Sequence, residues 1–278
     1  MLKCVRFVVW SFLLHVASSA HGAILNTDLI AWWELDDTSD SSPSASRTLQ
    51  LKDGATLSGG ALVLDTDPSN NRAATGAFNP TDSFSIFIDF QADTLPSGGI
   101  DPQYILLSNI GDDAVRSFSQ FSTSAGYMIF LRPNRFETFQ KTGGSFAGAV
   151  GASLPLADPT GRHRAVINWE FNSSTNEYRS VLFLDGSSIT TASGFGPMNF
   201  GTGTATNSLL LGTNVDEAFQ TPRTLDGTIF EAAIFNRSLT VAEIDQLAVD
   251  GVQPVPEPST AILVLFALTS GLLSRRTA

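Results

Sequence analysis

The residues with chemistry to offer are few, and most are acids. Asp36, Asp37 and Asp40 fall within one short stretch. Three hard oxygen donors so close together suit calcium, which ties down the loops of many secreted folds. Glu34-Leu35-Asp36 is the nearest approach to the paired carboxylates that glycoside hydrolysis requires, and no Glu-x-Asp-x-Glu run occurs. Asp112-Asp113 and Asp216-Glu217 are further acidic pairs in loop-like sequence. Nucleophilic hydrolysis needs Ser or Cys beside a base. His163 lies in strand-like sequence, and Gly143-Gly144-Ser145-Phe146-Ala147 lacks the closing glycine of a nucleophile elbow, so neither points to catalysis. Sugar binding would use an exposed ring stacked on a pyranose face, for which Trp32, Tyr104, Tyr127 and Tyr178 are candidates. Trp32 and Trp33 are adjacent on a strand, so one faces inward and the other outward. Asn172-Ser173-Ser174 and Asn236-Arg237-Ser238 carry the acceptor pattern for N-glycosylation.

Composition narrows the classes. The 278 residues include 16 Lys+Arg against 27 Asp+Glu, a formal charge of −11. Such a chain lacks the basic face that displaces phosphate counterions, which argues against nucleic-acid binding. Charged residues make up 15% and hydrophobic residues 42%, the reverse of a disordered chain. One Cys and three His exclude zinc fingers, thiolate clusters and a disulfide framework.

Both ends read as targeting segments. Met1–Arg6 is short and basic, Phe7–Val16 is mostly apolar, and Ala17-Ser18-Ser19-Ala20-His21-Gly22 supplies small residues. That is the tripartite pattern of a secretory signal peptide over 1–22, with cleavage after Ala20 or after Gly22. Its removal takes away Cys4 and leaves no disulfide possible. At the other end, Pro256-Glu257-Pro258 precedes an apolar stretch from Ala261 to Leu273 and a basic end at Arg275-Arg276. The stretch predicts a short transmembrane helix, and the arginines favour a cytoplasmic C-terminus. Loss of Lys3, Arg6, Arg275 and Arg276 with the two ends makes the remainder more acidic still.

The triplet, the short span and the basic end over 252–278 resemble the PEP-CTERM sorting signal of Gram-negative bacteria that make exopolysaccharide. The resemblance implies an exosortase, a membrane cysteine protease, as partner, and processing near Pro256-Glu257-Pro258. It implies an inner-membrane intermediate, transient or permanent, and then delivery to the cell surface or extracellular matrix.

Between the ends the dominant period is two. Phe84, Ile86, Ile88 and Phe90 alternate with Ser85, Phe87, Asp89 and Gln91, and Ala165, Ile167, Trp169 and Phe171 do the same in their segment. Asp53-Gly54, Gly59-Gly60, Gly98-Gly99, Gly143-Gly144, Asp185-Gly186 and Asp226-Gly227 punctuate the strands with turn chemistry. Many short strands between regular turns predict an all-β sandwich or barrel. Thr240-Val241-Ala242-Glu243 is a capping box that opens one helix, which Gly251 ends.

The order of landmarks resembles the laminin-G-like, concanavalin A-like jelly-roll family. Ile30–Asp37 followed by Asp40-Ser41-Ser42 is similar to its opening strand and turn, and Leu182-Phe183-Leu184-Asp185-Gly186 to its "lYvDG" strand. Arg162-His163-Arg164-Ala165-Val166 stands where "WHHVA" is expected, with Arg162 in place of Trp. Asp226–Thr240 resembles the family's last strand, with Phe230 in place of its Asp and Ala233 in place of its Arg. The resemblance implies a two-sheet antiparallel jelly-roll sandwich over 23–251, with Asp40 at a turn position where an Asp is a frequent metal ligand. Together the features imply an exported, non-catalytic surface or matrix binding protein, with calcium as a structural ion and exopolysaccharide or other glycans as partners. A secreted glycosidase or lyase, and a purely structural surface protein, are the alternatives.

Overall fold

The computed structural model describes residues 28–44, 46–65, 71–76, 78–80, 82–97, 102–111, 124–141, 151–195, 207–214 and 223–252. The expected signal peptide with Ala20 and Gly22, and the tail with Pro256, Glu257, Pro258, Arg275 and Arg276, lie outside them. So do Asp112-Asp113, Asp216-Glu217 and Gly143–Ala147. Among the described residues no helix is long and apolar enough to cross a membrane.

Asp28–Val252 forms one compact unit built as two antiparallel sheets. The first runs β13 (Ser187–Phe195), β12 (Glu177–Leu184), β11 (Arg162–Asn172), β6 (Phe84–Ala92), β15 (Gly227–Phe235), β4 (Leu62–Leu64), β3 (Thr56–Leu57), with β1 (Leu29–Trp33) also on β15. The second runs β10 (Ser153–Pro155), β9 (Arg135–Lys141), β8 (Gly126–Arg132), β7 (Tyr104–Ser108), β14 (Leu209–Leu211), β5 (Arg72–Thr75), β2 (Gln50–Lys52). β15 is central. One edge pairs along its length with β6, while the other takes β4 at its start and β1 at its end.

The period-two residues make the core. Phe84, Ile86, Ile88 and Phe90 of β6 meet Ala165, Ile167 and Trp169 of β11 and Tyr127, Ile129 and Leu131 of β8 between the sheets. Phe84 stacks on Trp169 at 4.8 Å between centroids and 9° between planes. The opposite face of the second sheet carries a smaller apolar cluster that includes Met128, Phe130 and Leu210. Tight turns follow their chemistry: Asp185 and Gly186 join β12 to β13 with φ of 50° and 77°, the positive pair that a two-residue hairpin demands.

The polar face of β6 is closed as well. Ser85 donates to Asn168, whose amide nitrogen donates to the carbonyl of Leu239. Beyond Leu239 lies α1 (Val241–Asp250), opened by the expected capping box. Arg237 bridges Glu243 of that helix to Asp28 before β1, at 2.6 Å from each carboxylate. The Arg237 guanidinium and the Thr240 cap hold the Glu243 carboxyl down at about 2.

One inward side chain is out of keeping. Gln140 of β9 is 2% exposed, and neither amide atom has a hydrogen-bond partner among the described residues. A buried, unsatisfied amide costs about 1–3 kcal/mol, so Gln140→Met raises the unfolding free energy by roughly 1 kcal/mol. Urea denaturation followed by tryptophan fluorescence checks this; a lower midpoint would refute it.

Candidate functional site

The candidate site grows from an irregularity in β15. Its ladder with β6 pairs Ile229 with Phe90 and then Glu231 with Asp89, so Phe230 is an extra residue. A bulge of this kind re-aims side chains. The guanidinium of Arg162, the first residue of β11, lies over the Phe230 ring at 3.8 Å from its centroid. Two of the residues that depart from the pattern the sequence resembles therefore meet each other, cation on ring.

Asp89 fixes that guanidinium. Arg162 Nε donates to Oδ1 and Nη2 to Oδ2, both at 2.8 Å, and Arg164 Nε donates to Oδ2 at 2.8 Å. Arg164 Nη1 continues to the carbonyls of Ala248 and Val249 at the end of α1. The Asp89 side chain is 1% exposed, whereas Arg162 is half-exposed. The Arg162 fork is thus held edge-on by a carboxylate and face-on by a ring, and its Nη1 has no partner among the described residues.

Around this platform lies an open cleft of about 440 Å³. Its other walls are Glu34 and Asp36 after β1, Gly59-Gly60 of the β3–β4 hairpin, Glu231, and Val252 beyond α1. Leu35 sits between the two acids in the left-handed region, φ 62°, and is 1% exposed. A buried leucine in that conformation is strained, and the core that holds it turns Glu34 and Asp36 to the surface. Asp36 Oδ1 rests 2.7 Å from where a Cβ on Gly60 would stand, and the φ of 74° at Gly60 favours glycine there.

Glu231 is the desolvated member. Its Oε1 accepts from Trp32 Nε1 at 2.7 Å and from the Val252 amide at 3.1 Å. Its Oε2 lies 2.5 Å from a Cβ position on Gly251, whose φ is 72°. Burial pushes the carboxyl up to about 7, with Asp89 adding to the effect and the bonds from Trp32 and Val252 opposing it.

The expected calcium cluster does not come together. Asp40 is 6% exposed, and its two oxygens accept backbone N–H groups: Oδ1 from Trp32 and Ser42, Oδ2 from Ser46 and Arg47. Asp37 accepts from the Ser39 amide at 2.6 Å, which holds its carboxyl below the ordinary value. Asp36 faces the cleft. Among the described residues no three His, Cys, Asp or Glu side chains are set to hold a metal ion, so these aspartates do not fit a calcium cage.

The aromatic candidates are in the interior. Tyr104, Tyr127 and Tyr178 are all under 5% exposed, and Trp32, although directed away from the core that holds Trp33, is buried at 4%. His163 is packed: Nδ1 lies 2.8 Å from an Asp185 oxygen and Nε2 2.6 Å from the Asp158 carbonyl. Sequence reasoning missed Phe230, Glu231 and Arg162 as site residues. The one available signal was that Phe230 and Arg162 both break the pattern of the family the chain resembles.

No known family model matches the chain, and no curated protein matches it. Solved structures match in fold. A botulinum neurotoxin serotype D/C binding domain aligns with TM-score 0.59 and 11% identity over 82% of this chain and 53% of its own. A botulinum neurotoxin type C structure aligns with TM-score 0.59 and 12% identity over 84% and 53%. The chain therefore spans about half the length of these structures, and at such identity the likeness is one of fold: an all-β, two-sheet antiparallel sandwich with one short helix.

Proposed function

We propose that the sandwich is a non-catalytic glycan-binding domain of an exported surface or matrix protein, and that the cleft beside Phe230 is its site. The observation that carries this is the Arg162 fork, held rigid by Asp89 and Phe230 and still offering Nη1 to the cleft, opposite the exposed carboxylates of Glu34 and Asp36. Fixed donors facing fixed acceptors in a polar concavity suit the hydroxyls of a sugar. The type C neurotoxin that shares the fold enters cells by interaction with two ganglioside molecules, which lends analogy and no more. Export by the N-terminal segment, insertion of the tail in the inner membrane and exosortase processing at Pro256-Glu257-Pro258 belong to the same proposal, on the sequence alone.

The test is an array of bacterial and algal glycans probed with wild-type protein, Arg162→Ala and Phe230→Ala. Each variant is expected to weaken binding about tenfold or more, as for a central contact residue. Full binding by both variants moves the site elsewhere, and a blank array with wild type refutes glycan binding. A second reading has one observation in its favour: Glu231, at about 7, shares the cleft with two exposed carboxylates, the separation of roles a glycosidase uses. Release of reducing ends that is abolished in Glu231→Gln would establish that reading.

A further inference from the structure

We propose that Glu231 is a proton-operated latch that joins the cleft to the stem of the C-terminal segment: seated when protonated, released into the cleft when ionised. For its effect on ligand, the inference rests on the cleft being the binding site. The geometry is a three-way junction. One carboxyl oxygen holds the Trp32 indole of β1 and the backbone amide of Val252, and the other lies on Gly251. Val252 is the last described residue, and the chain continues from it towards Pro256-Glu257-Pro258. Releasing this carboxyl removes the acceptor of the Val252 amide and opens one wall of the cleft together.

Ionisation has a reason to drive release. Facing Glu231 are Asp89 of β6, Arg164 and Arg162 of β11, and Glu34 and Asp36 across the cleft. Arg162 and Arg164 both hydrogen-bond Asp89 and neither hydrogen-bonds Glu231, so the attraction of Arg164 opposes the effect of burial without cancelling it. A carboxylate in the seat is thus desolvated and short of a cation of its own, while the open cleft beside it is solvated. The carboxyl titrates near 7 in its seat against an ordinary 4.5. The sign follows: the seated acid adds stability that is full below about pH 4.5 and is lost as pH rises through about 7. A swung-out conformer titrating at the ordinary 4.5 would gain over the seated one across that interval, on the order of a hundredfold.

The experiment is hydrogen exchange of the full chain by mass spectrometry, with the peptide holding Gly251-Val252 followed from pH 5.5 to 8.5 and corrected for base catalysis. Wild-type protection is expected to fall at least about tenfold across this range, with a midpoint near 7. Glu231→Gln, which keeps the accepting oxygen and cannot ionise, is expected to stay protected throughout. Equal protection at both ends in wild type, or an equal fall in the variant, overturns the latch. Carbon-13 NMR titration of the wild-type glutamates is independent of any variant; the absence of any glutamate titrating near 7 also overturns it. None of these readouts uses a glycan, so they stand if the cleft binds none. If a glycan does bind, affinity that is flat with pH while the stem opens overturns the coupling between stem and cleft.

Discussion

Asp40→Ala lowers the unfolding free energy by about 3–5 kcal/mol, and by the same amount in EDTA as in millimolar calcium. The substitution strands the amides of Trp32, Ser42, Ser46 and Arg47, which the one carboxylate satisfies. Two of them lie at buried positions, where an unmatched N–H carries its full desolvation cost. Asp40→Asn is nearly as damaging: its single oxygen serves one side, while its NH₂ faces donors on the other. Urea unfolding in both buffers decides the matter. Wild type stabilised by calcium, with Asp40→Ala indistinguishable from wild type in EDTA, would return these aspartates to a metal site.

Asp89→Ala is the second large expected effect, about 3–5 kcal/mol, since removing one partner from a buried ionic group leaves the others uncompensated. The asymmetry within the trio makes the prediction specific. Asp89 is 1% exposed, Arg164 is 23% exposed and Arg162 is 49% exposed. Arg162→Ala therefore costs about 1 kcal/mol at most, in the range of a surface pair. Asp89→Ala also frees the fork over Phe230, so glycan binding falls in both variants while stability collapses only in the first. Equal melting temperatures for the two variants would mean that Asp89 is not the organising charge.

The architecture was legible from the chain wherever local pattern decides. The alternation through Phe84–Phe90, the capping box at Thr240 and Glu243, and the Asp185-Gly186 hairpin all depend on neighbours in sequence, and each stands where the residues predict. The site was not legible, because it depends on register between distant strands. Arg162 meets Phe230 only because β6 lies between β11 and β15, and Phe230 is free to meet it only because a bulge breaks the β15 ladder. Asp40 misled for the opposite reason: its residue type announces a metal ligand, while its partners are main-chain amides that any sequence would supply. The alternation of Trp32 and Trp33 was legible, but which of them faces the core was not, and Trp32, on the other face, is buried as a donor to Glu231 rather than offered to a ligand.

The central position of β15 also sets the order in which the molecule can be made. Its register partners are Trp32 near one end of the chain and Ile88 in the first half. In a chain that emerges from its N-terminus, the middle of the first sheet is missing until Phe235 has followed, and β1, β4 and β6 wait without the strand that unites them. Pairings this remote in sequence make folding slow, because a long loop must close before any contact rewards it. The sandwich is therefore complete only once β15 is in place, and a chain cut short before Gly227 keeps the second sheet and the β13–β12–β11–β6 part of the first but leaves β1, β3 and β4 without the strand that joins them to it.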